Sequence, residues 1–540
     1  MFGINRMFKL VAVVAASVMI VACGQDKEKM SAASENNMIP DNAVFALKID
    51  AQQLWEKALG NPDSELRQTW NMAKSYVPMY AASLGEIGTI AADFVKDPST
   101  LGIRPDQPVV VSFAIDIVDV ASEQVNVEVC LVALLDNSAA FVKAADVVMD
   151  LANKEAELGM TKEVVNDSYT YYSFSPERGV NVDMGVAEKS AVIRVKANNT
   201  NVVEDYKTSM LGLFSNGGPA KTDGLDAFYA SKGDMTLWMD MEGTLNMAKP
   251  AMEQLDPTAM AQLEEYMPLY KNASLVSSLD FQKGKTVLEA KVFGSDAMMA
   301  FTQKYNALSS DKYFESIPRS SVFVANFAMK DFAGLVKEIS KTNPQFAEGM
   351  EYLEEELGID QALLAGFPGI VTFALDGNGI GERPVPGMTL VMECEENVWE
   401  YAQQYLDEYA SYDGYFYNIM NVCYVTYDGA AIRAFDAETF KNGGSAGRFS
   451  GSPLAKDIAQ GGFVFNLAEL PYDVLEEIAE EIDHSMTGYE LLEFVNSIVV
   501  SSNPDQMTST VTLNMGDTSQ NFIGKLVQYF VEDLNPAELF

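Results

Sequence analysis

An internal repeat constrains the fold of this 540-residue chain more than any other feature. The segment Met38–Ala58 reads MIPDNAVFALKIDAQQLWEKA, and Ser316–Ile339 reads SIPRSSVFVANFAMKDFAGLVKEI. Both place Ile-Pro before a short polar turn, a strand that opens on Val-Phe, and an amphipathic helix. A repeat of this length indicates a duplicated domain rather than a solenoid unit.

Further matches follow in the same order along both copies. The matched pairs are Val44 with Val322, Leu101-Gly102-Ile103 with Leu357-Gly358-Ile359, Phe113 with Phe373, Leu131 with Leu390, and Ile193 with Ile432. We therefore predict two tandem repeat domains, residues 38–310 and 311–540. In these domains Val44/Val322, Phe113/Phe373 and Ile193/Ile432 are expected to occupy equivalent core positions.

Each repeat consists of short strands that alternate with helices. In the first copy, strands are predicted over Pro108–Ile117 and Val125–Leu135, followed by a helix over Ser138–Ala156. A meander is predicted over Tyr169–Phe174, Val180–Val186 and Ser190–Lys196. Because hairpins outnumber strand–helix–strand crossovers, we predict an α+β fold of mostly antiparallel sheet with helices packed on one face.

The net charge is strongly negative. Lys and Arg number 37 and Asp and Glu number 77, which gives a formal charge of −40. Such a surface repels nucleic-acid phosphates and anionic lipid head groups, so we expect no nucleic-acid partner.

The N-terminus has the pattern of a secretory signal. Arg6 and Lys9 precede the apolar run Leu10–Val21, which is too short to span a bilayer as a mature helix. The sequence Ile-Val-Ala-Cys ending at Cys23 resembles the lipobox of bacterial lipoproteins. That resemblance implies a signal peptide over residues 1–22, a lipidated Cys23 and a membrane partner held through the lipid. The alternatives are a transmembrane anchor and a signal that is cleaved without lipidation.

Residues 23–37 are polar and are predicted to form a flexible tether. Together, the lipobox, the tether, the Ile-Pro-x-x-x-Val-Phe opening and the chain length resemble a family of Bacteroidales lipoproteins built on a domain of unknown function. The resemblance implies a place in the cell envelope, at the outer membrane on its periplasmic or surface face. It implies no catalytic residues and no cofactor.

Three further cysteines follow Cys23: Cys130, Cys394 and Cys423. Cys130 and Cys423 lie in strand-like runs, where a buried free thiol is the commonest state. A disulfide between Cys394 and Cys423 is the alternative, since both belong to one predicted sheet.

Two motifs were weighed as catalytic or metal-binding sites. Gly443–Gly447 matches G-x-S-x-G around Ser445, with His484 downstream as the only histidine. The strand-to-helix turn that a nucleophilic serine needs is absent there, so a loop is the favoured interpretation. Glu481 and His484 form one Glu-x-x-His pair, whereas a bridged metal site needs two, so a solvated helix face is favoured.

The segment that begins at Asp376 starts like a calcium loop, but its twelfth position is Gly387 rather than glutamate. Turn chemistry between two strands is favoured instead. The sequence therefore predicts no catalytic residue, no metal and no cofactor.

A tyrosine stripe is the one candidate binding surface. Tyr401, Tyr405, Tyr409 and Tyr412 recur at intervals of one helical face. Exposed aromatic rings with polar tips suit carbohydrate or peptide ligands, whereas packing of the stripe on the sheet is the structural alternative. We expect a non-catalytic binding or scaffold lipoprotein, with a surface glycan or peptide binder and an extracytoplasmic hydrolase as alternatives.

Overall fold

The chain has an α+β fold, as the sequence predicts, and the paired strands whose registers are described are antiparallel. A computed structural model describes residues 39–533 except 61–64, 82–84, 120–123, 157–158, 178, 198–205, 217–222, 256, 368, 378–386, 438–446 and 485. The predicted signal peptide, Cys23 and the tether lie outside the described residues.

The described chain divides into two compact units. The first runs to Met260 and includes Lys271–Phe281 and the chain from Ile523 onward. The second comprises Ala261–Tyr270 and Gln282–Phe522. The predicted boundary between residues 310 and 311 separates two repeated sequence segments, whereas the two compact units are defined by their internal contacts. The repeat boundary therefore stays a prediction.

The sheet of the first unit contains nine strands among the described residues, in the spatial order β9-β8-β1-β2-β3-β7-β6-β5-β4. Their bounds are β1 Phe45–Ile49, β2 Val109–Asp119, β3 Gln124–Leu134, β4 Thr161–Val165, β5 Tyr169–Glu177, β6 Val180–Val186, β7 Ser190–Ala197, β8 Met235–Asp240 and β9 Ser274–Gln282.

The helices up to the second unit's first strand are bounded as follows: α1 Ala51–Leu59, α2 Glu65–Ala81, α3 Gly85–Lys96, α4 Ser138–Ala156, α5 Tyr206–Asn216, α6 Asp223–Ala230, α7 Met241–Leu255 and α8 Pro257–Tyr270. Most of α8 belongs to the second unit. A 3₁₀ turn covers Pro98–Leu101.

Helices lie on both faces of the first sheet, so the prediction of helices on one face holds only for part of it. Residues of α3 and α4 line a cavity together with Val111 of β2. On the opposite face, a Cβ atom added at Gly185 of β6 would collide with Met210 and Phe214 of α5. Neighbouring strand residues point to opposite faces, and both faces of these strands are apolar enough to be covered.

In the second unit the spatial strand order is β10-β21-β20-β19-β12-β13-β14-β18-β17-β16-β15, with β11 beside one end of β12. The bounds are β10 Lys285–Phe293, β11 Asn306–Ala307, β12 Ser321–Met329, β13 Gly369–Asp376, β14 Met388–Glu393, β15 Ser411–Tyr412, β16 Tyr417–Ile419, β17 Cys423–Tyr427, β18 Ala431–Asp436, β19 Gly462–Asn466, β20 Ser497–Asn503 and β21 Thr508–Asn514.

The remaining helices are α9 Asp296–Tyr305, α10 Phe332–Thr342, α11 Pro344–Leu357, α12 Gln361–Ala365, α13 Glu396–Tyr409, α14 Tyr472–Ile482, α15 Gly488–Phe494 and α16 Phe522–Asp533. Short 3₁₀ turns cover Phe314–Ser316, Phe449–Gly451, Pro453–Lys456 and Leu467–Glu469. All of α16 after its first residue belongs to the first unit.

The two opening segments have the strand and helix that their sequences predict. Asp50 caps α1 by accepting a hydrogen bond from the Gln53 amide at 2.9 Å, and Asp331 caps α10 by accepting one from the Gly334 amide at 2.7 Å. Such caps stabilise a helix start by about 1 kcal/mol.

One buried polar side chain on β1 and another on β12 bind backbone carbonyls. The Lys48 ammonium donates to the carbonyls of Phe228, Tyr229 and Ser231 at 2.7, 3.1 and 2.7 Å. In the second unit the Asn326 amide donates to the carbonyls of Ser310, Ile458 and Ala459 at 3.2, 3.0 and 3.2 Å. Both side chains satisfy carbonyl groups that burial would otherwise leave unpaired.

Candidate functional site

An apolar cavity of about 410 Å³ lies in the first unit, between the sheet and helices α3 and α4. Its volume lies within the range of small-molecule sites, about 300–1,000 Å³. It is lined by Ile90, Leu101, Val111, Val129, Leu131, Phe141, Ala144, Ala145, Val148, Met160, Tyr172, Phe174, Val182, Met184, Ile193 and Val195. None of these side chains carries a charge.

Strand alternation explains why the sheet side of the cavity is apolar. On β3, Val129 and Leu131 line the cavity, while Cys130 between them points to the other face. On β7, Ile193 and Val195 line it in the same way. Strands β3 and β7 therefore present a branched aliphatic surface to helix α4, beside Tyr172 and Phe174 of β5.

The helix side leaves room because its central residues are small. Phe141, Ala144, Ala145 and Val148 of α4 face the sheet at helical spacing. Two alanines at the middle of this face carry only methyl groups, so the layers meet without filling the space between them.

Tyr172 carries the one polar side-chain group among the lining residues. Its hydroxyl contacts the Asp146 carboxylate at 2.9 Å and the Val142 carbonyl at 3.3 Å. Burial, reinforced by the hydrogen bond to Asp146, raises the pKa of Tyr172 above its usual range. The phenol stays neutral at physiological pH, and the cavity wall offers no acid or base for catalysis.

The cavity reaches the surface beside α4. Val148 lines it and is 46% exposed. Beside Tyr172, another lining residue, the Lys162 ammonium contacts Asp146 at 2.7 Å and lies 5.7 Å from the centre of the Tyr172 ring. Asp146 and Val148 point about 160° apart around α4, so this ion pair lies at the Tyr172 edge of the lining and not beside Val148.

The other face of the same strands carries a buried ionic network. Arg194 of β7 and Asp183 of β6 are fully buried, with 3.5 Å between their charged groups. The Tyr171 hydroxyl donates to Asp183, and burial followed by this hydrogen bond raises the pKa of Tyr171. Glu128 lies 3.9 Å from Arg194 and 3.2 Å from Lys196. The network is separated from the cavity by the sheet itself.

In the second unit, the layer between α13 and strands β14, β17 and β18 contains packed aromatic rings. Trp399 stacks on Tyr427 with 5.3 Å between ring centres and meets Tyr417 edge-on at 5.8 Å. Tyr417 is buried in one cluster with Leu363, Cys394, Val398, Val425 and Ile432.

A second cavity of about 550 Å³ lies in the second unit and has a mixed lining. Its apolar part includes Val292, Phe327, Met329, Val371 and Met507, and its polar part includes Thr302, Asn306, Gln460, Ser502, Asn503, Thr508 and Ser509. Phe327 is 45% exposed, so this space is a surface groove. It brings no charged side chain into its lining.

The four predicted tyrosines do not lie on one helix. Helix α13 ends at Tyr409, and Tyr412 belongs to β15 because the chain turns into an edge strand there. Tyr401 is half-buried against the α13 cluster, whereas Tyr405, Tyr409 and Tyr412 are 44%, 61% and 59% exposed. The structural alternative, packing on the sheet, describes Tyr401 alone.

The weighed catalytic and metal motifs do not form a site in the part of the chain that is described. Ser445 lies in the segment 438–446, outside the described residues. His484 is exposed just beyond α14, and Glu481 is exposed on that helix. Among described residues, no group of three or more His, Cys, Asp or Glu side chains is placed to hold a metal ion.

Cys130, Cys394 and Cys423 are free thiols. The Cys394 backbone amide donates a hydrogen bond to the Ala430 carbonyl beside one end of β18. Cys423 of β17 pairs with Asp436 at the other end of β18. Six residues of strand separate them by about 20 Å, whereas a disulfide needs Cα atoms within about 7 Å. The disulfide alternative is therefore wrong.

The cavity was not predicted from the sequence. The available signal was the pair Ala144-Ala145 at the centre of an apolar helix face opposite alternating Val, Leu and Ile. That signal indicates weak filling only after the helix and the strands are known to face each other.

Comparisons of the chain with protein-family models, with curated proteins and with solved structures find no match. Among the described residues, no helix is both long enough and apolar enough to cross a membrane.

Proposed function

We propose that this protein is a lipid-anchored cell-envelope protein that binds an apolar ligand without catalysis, in the cavity between α4 and the first sheet. The observation that carries the proposal is a cavity of about 410 Å³ whose lining holds no charge and only one neutral hydroxyl. Such a lining favours hydrocarbon, because each buried methylene contributes about 0.8 kcal/mol.

The ligand class is a molecule with an extended hydrocarbon part, such as an acyl chain. The lining is aliphatic on β2, β3 and β7, aromatic at Tyr172 and Phe174 of β5, and includes the flexible side chains of Met160 and Met184. Methionine adapts its shape to irregular apolar ligands. The charged Lys162 and Asp146, which contact Tyr172 at one edge of the lining, suit a polar end that stays in water.

We also propose that the two units arose by duplication, and their strand orders support this. Starting from the opening strand, β1-β2-β3-β7-β6-β5-β4 corresponds to β12-β13-β14-β18-β17-β16-β15, and β8-β9 corresponds to β19-β20. Val44 and Val322 are both buried just before Phe45 and Phe323.

The strand registers correct two of the matched pairs. Phe45 pairs with Phe113, while Phe323 pairs with Leu375, so Val111 rather than Phe113 is the counterpart of Phe373. The registers likewise make Ala434, not Ile432, the counterpart of Ile193. Each shift is two residues, which leaves the side chain on the same face of the strand.

This correspondence supports a division of roles. Tyr172 pairs with Met184 in the first unit as Tyr417 pairs with Val425 in the second. Counting from the helix starts, Phe141 and Ala145 of α4 correspond to Trp399 and Gln403 of α13. The Gln403 amide donates to the Tyr417 hydroxyl at 2.9 Å. Larger side chains therefore fill the second layer where the first leaves a cavity.

The binding proposal is tested with N-phenylnaphthylamine, an uncharged probe that fluoresces in apolar surroundings. The double variant Phe141→Trp/Ala145→Gln copies the second unit, and we expect it to weaken saturable probe binding about tenfold or more, because it fills the space. The milder Ala144→Leu is expected to weaken binding as well, and it covers the case in which the double variant misfolds.

Val164→Leu provides the matched control, because Val164 is exposed on β4 and does not line the cavity. It is expected to bind the probe like the wild type. Equal binding by wild type and both filled variants, or no saturable binding by the wild type, would refute the proposal.

The lipid anchor is tested separately. Cells that express the wild type in the presence of a clickable palmitate analogue are expected to label the protein, and Cys23→Ala is expected to lose the label because the acyl chains attach at that residue. An unlabelled wild type contradicts the anchor but leaves the cavity proposal intact.

A further inference from the structure

Five tyrosines of the second unit expose their rings on α11, on α13 and around β15. The exposed fractions are 63% for Tyr352, 44% for Tyr405, 61% for Tyr409, 59% for Tyr412 and 80% for Tyr415. Isolated exposed aromatic residues are ordinary, but four of these rings fall within the short stretch Tyr405–Tyr415 on α13 and around β15, and such clustering indicates an interaction surface. We call this set the tyrosine surface.

Defined contacts hold the tyrosine surface in place. The Tyr401 hydroxyl donates to the Leu357 carbonyl at the end of α11 and lies 3.2 Å from the Tyr405 hydroxyl. That hydrogen bond to Tyr405 raises the pKa of Tyr401 to about 12. These hydrogen bonds hold α13 against the C-terminal end of α11. They place the Tyr405 side chain at a defined position on the surface.

The β15 side of the surface is ordered as well. The Tyr412 ring packs on Tyr417 with 4.7 Å between ring centres, and the Tyr417 hydroxyl contacts Asp407 at 2.7 Å. The Asp413 carboxylate accepts hydrogen bonds from the amides of Phe416 and Tyr415 at 2.8 and 2.9 Å, which lower the pKa of Asp413. The rings are thus presented on rigid backbone, which reduces the entropy lost on binding.

The tyrosine surface is surrounded by carboxylates. From Asn343 to Ile432 the sequence contains one basic residue, Arg383, which lies outside the described residues. The exposed acids on α11 and α13 and near β15 are Glu348, Glu351, Glu354, Glu355, Glu356, Glu396, Glu400, Asp407, Glu408 and Asp413. The local potential is therefore strongly negative.

Aromatic faces and carboxylates together select the chemistry of the partner. Arginine and lysine side chains lie over tyrosine rings and also pair with carboxylates, so both features attract them. A neutral saccharide uses the rings but gains nothing from the charge, and phosphates or anionic lipids are repelled. We propose that the tyrosine surface binds a basic polypeptide segment rich in arginine and lysine.

This proposal is independent of the cavity and is tested on the mature full-length chain. The probe is a fluorescent twelve-residue peptide with six arginines, and its control replaces each arginine with glutamine. We expect the arginine peptide to bind, with an affinity that falls as salt rises, and the glutamine peptide to bind much more weakly.

A chain of net charge −40 attracts any cationic peptide. The test of the tyrosine surface is therefore whether the affinity falls when its rings are removed. Tyr409→Ser/Tyr415→Ser removes two rings that are 61% and 80% exposed, and we expect it to weaken binding about fivefold or more. Tyr489→Ser is the matched control, because Tyr489 is 68% exposed on α15, away from the tyrosine surface in the fold. It is expected to leave affinity unchanged.

Three results would overturn the inference. They are absence of arginine-peptide binding at low salt, equal affinity of the wild type and Tyr409→Ser/Tyr415→Ser, and binding of neutral oligosaccharides in place of the basic peptide. A double variant with Glu355→Gln and Glu408→Gln supplies a second check. It keeps every ring and is expected to flatten the salt dependence.

Discussion

Replacing Asp183 with alanine is expected to lower the free energy of unfolding of the first unit by about 3–5 kcal/mol. Asp183 and Arg194 are both fully buried, and their charged groups lie 3.5 Å apart. The variant removes the fully buried counter-charge of the guanidinium, which keeps Glu128 at 3.9 Å, and it removes the acceptor of the Tyr171 hydroxyl. Chemical denaturation followed by tryptophan fluorescence measures the loss, since Trp55, Trp70 and Trp238 lie in the first unit.

Two controls separate buried charge from charge in general. Lys249→Met breaks the exposed pair with Glu253, at 3.8 Å on α7, and is expected to change stability by less than about 0.5 kcal/mol. Asp183→Leu/Arg194→Leu removes both buried charges and is expected to recover much of the loss. If Asp183→Ala stays within about 1 kcal/mol of the wild type, the network does not stabilise the sheet.

Replacing Lys48 with methionine is expected to cost about 3 kcal/mol or more, because three buried carbonyls lose their donors. These carbonyls belong to Phe228, Tyr229 and Ser231 at the end of α6. Methionine keeps the length and apolar volume of the side chain, so the difference reports the hydrogen bonds. Denaturant midpoints of the two proteins at pH 7.5 provide the measurement.

The same comparison has a predicted pH dependence. Burial lowers the pKa of Lys48 to about 8 from an unfolded value of 10.5, against the opposing effect of Asp50. Between these values the unfolded chain binds more protons than the folded chain, so the wild-type advantage over Lys48→Met rises with pH by up to about 3 kcal/mol. An advantage that stays constant from pH 7.5 to 10 contradicts a lowered pKa.

Local patterns predicted much of the first sheet. The helix over Ser138–Ala156 is found with the predicted bounds, since Asn137 accepts a hydrogen bond from the Ala140 amide and caps its start. The strand Val180–Val186 is found as predicted, and its neighbours differ by one to three residues at their ends. Alternation and caps act over a few residues, so the sequence displays them directly.

The matched Leu-Gly-Ile segments have a conformational reason. Gly102 and Gly358 have φ angles of 79° and 67°, which a side chain rarely adopts. A Cβ atom at Gly102 would lie 1.9 Å from the Asn137 carbonyl oxygen. The two matched glycines therefore both occupy left-handed turns.

Properties that depend on two layers were not predictable. The periodicity of Tyr401, Tyr405 and Tyr409 identifies a helix face but not what covers it, and only Tyr401 is packed. Phe113 pairs with Phe45, whereas Phe373 pairs with Ala325 rather than Phe323, and the letters alone do not contain this register. The cavity depends on side-chain volumes that meet across layers, which no single segment contains.

Binding of an apolar ligand in the first unit can be tested by crystallography. The crystals are grown with a long-chain carboxylic acid that carries bromine on its terminal carbon. We expect anomalous bromine density between α4 and strands β3 and β7, within the space lined by Phe141, Leu131 and Ile193. The same crystals of Phe141→Trp/Ala145→Gln should show no such density. Density only at the groove beside Phe327, or none at saturating ligand, would contradict the claim.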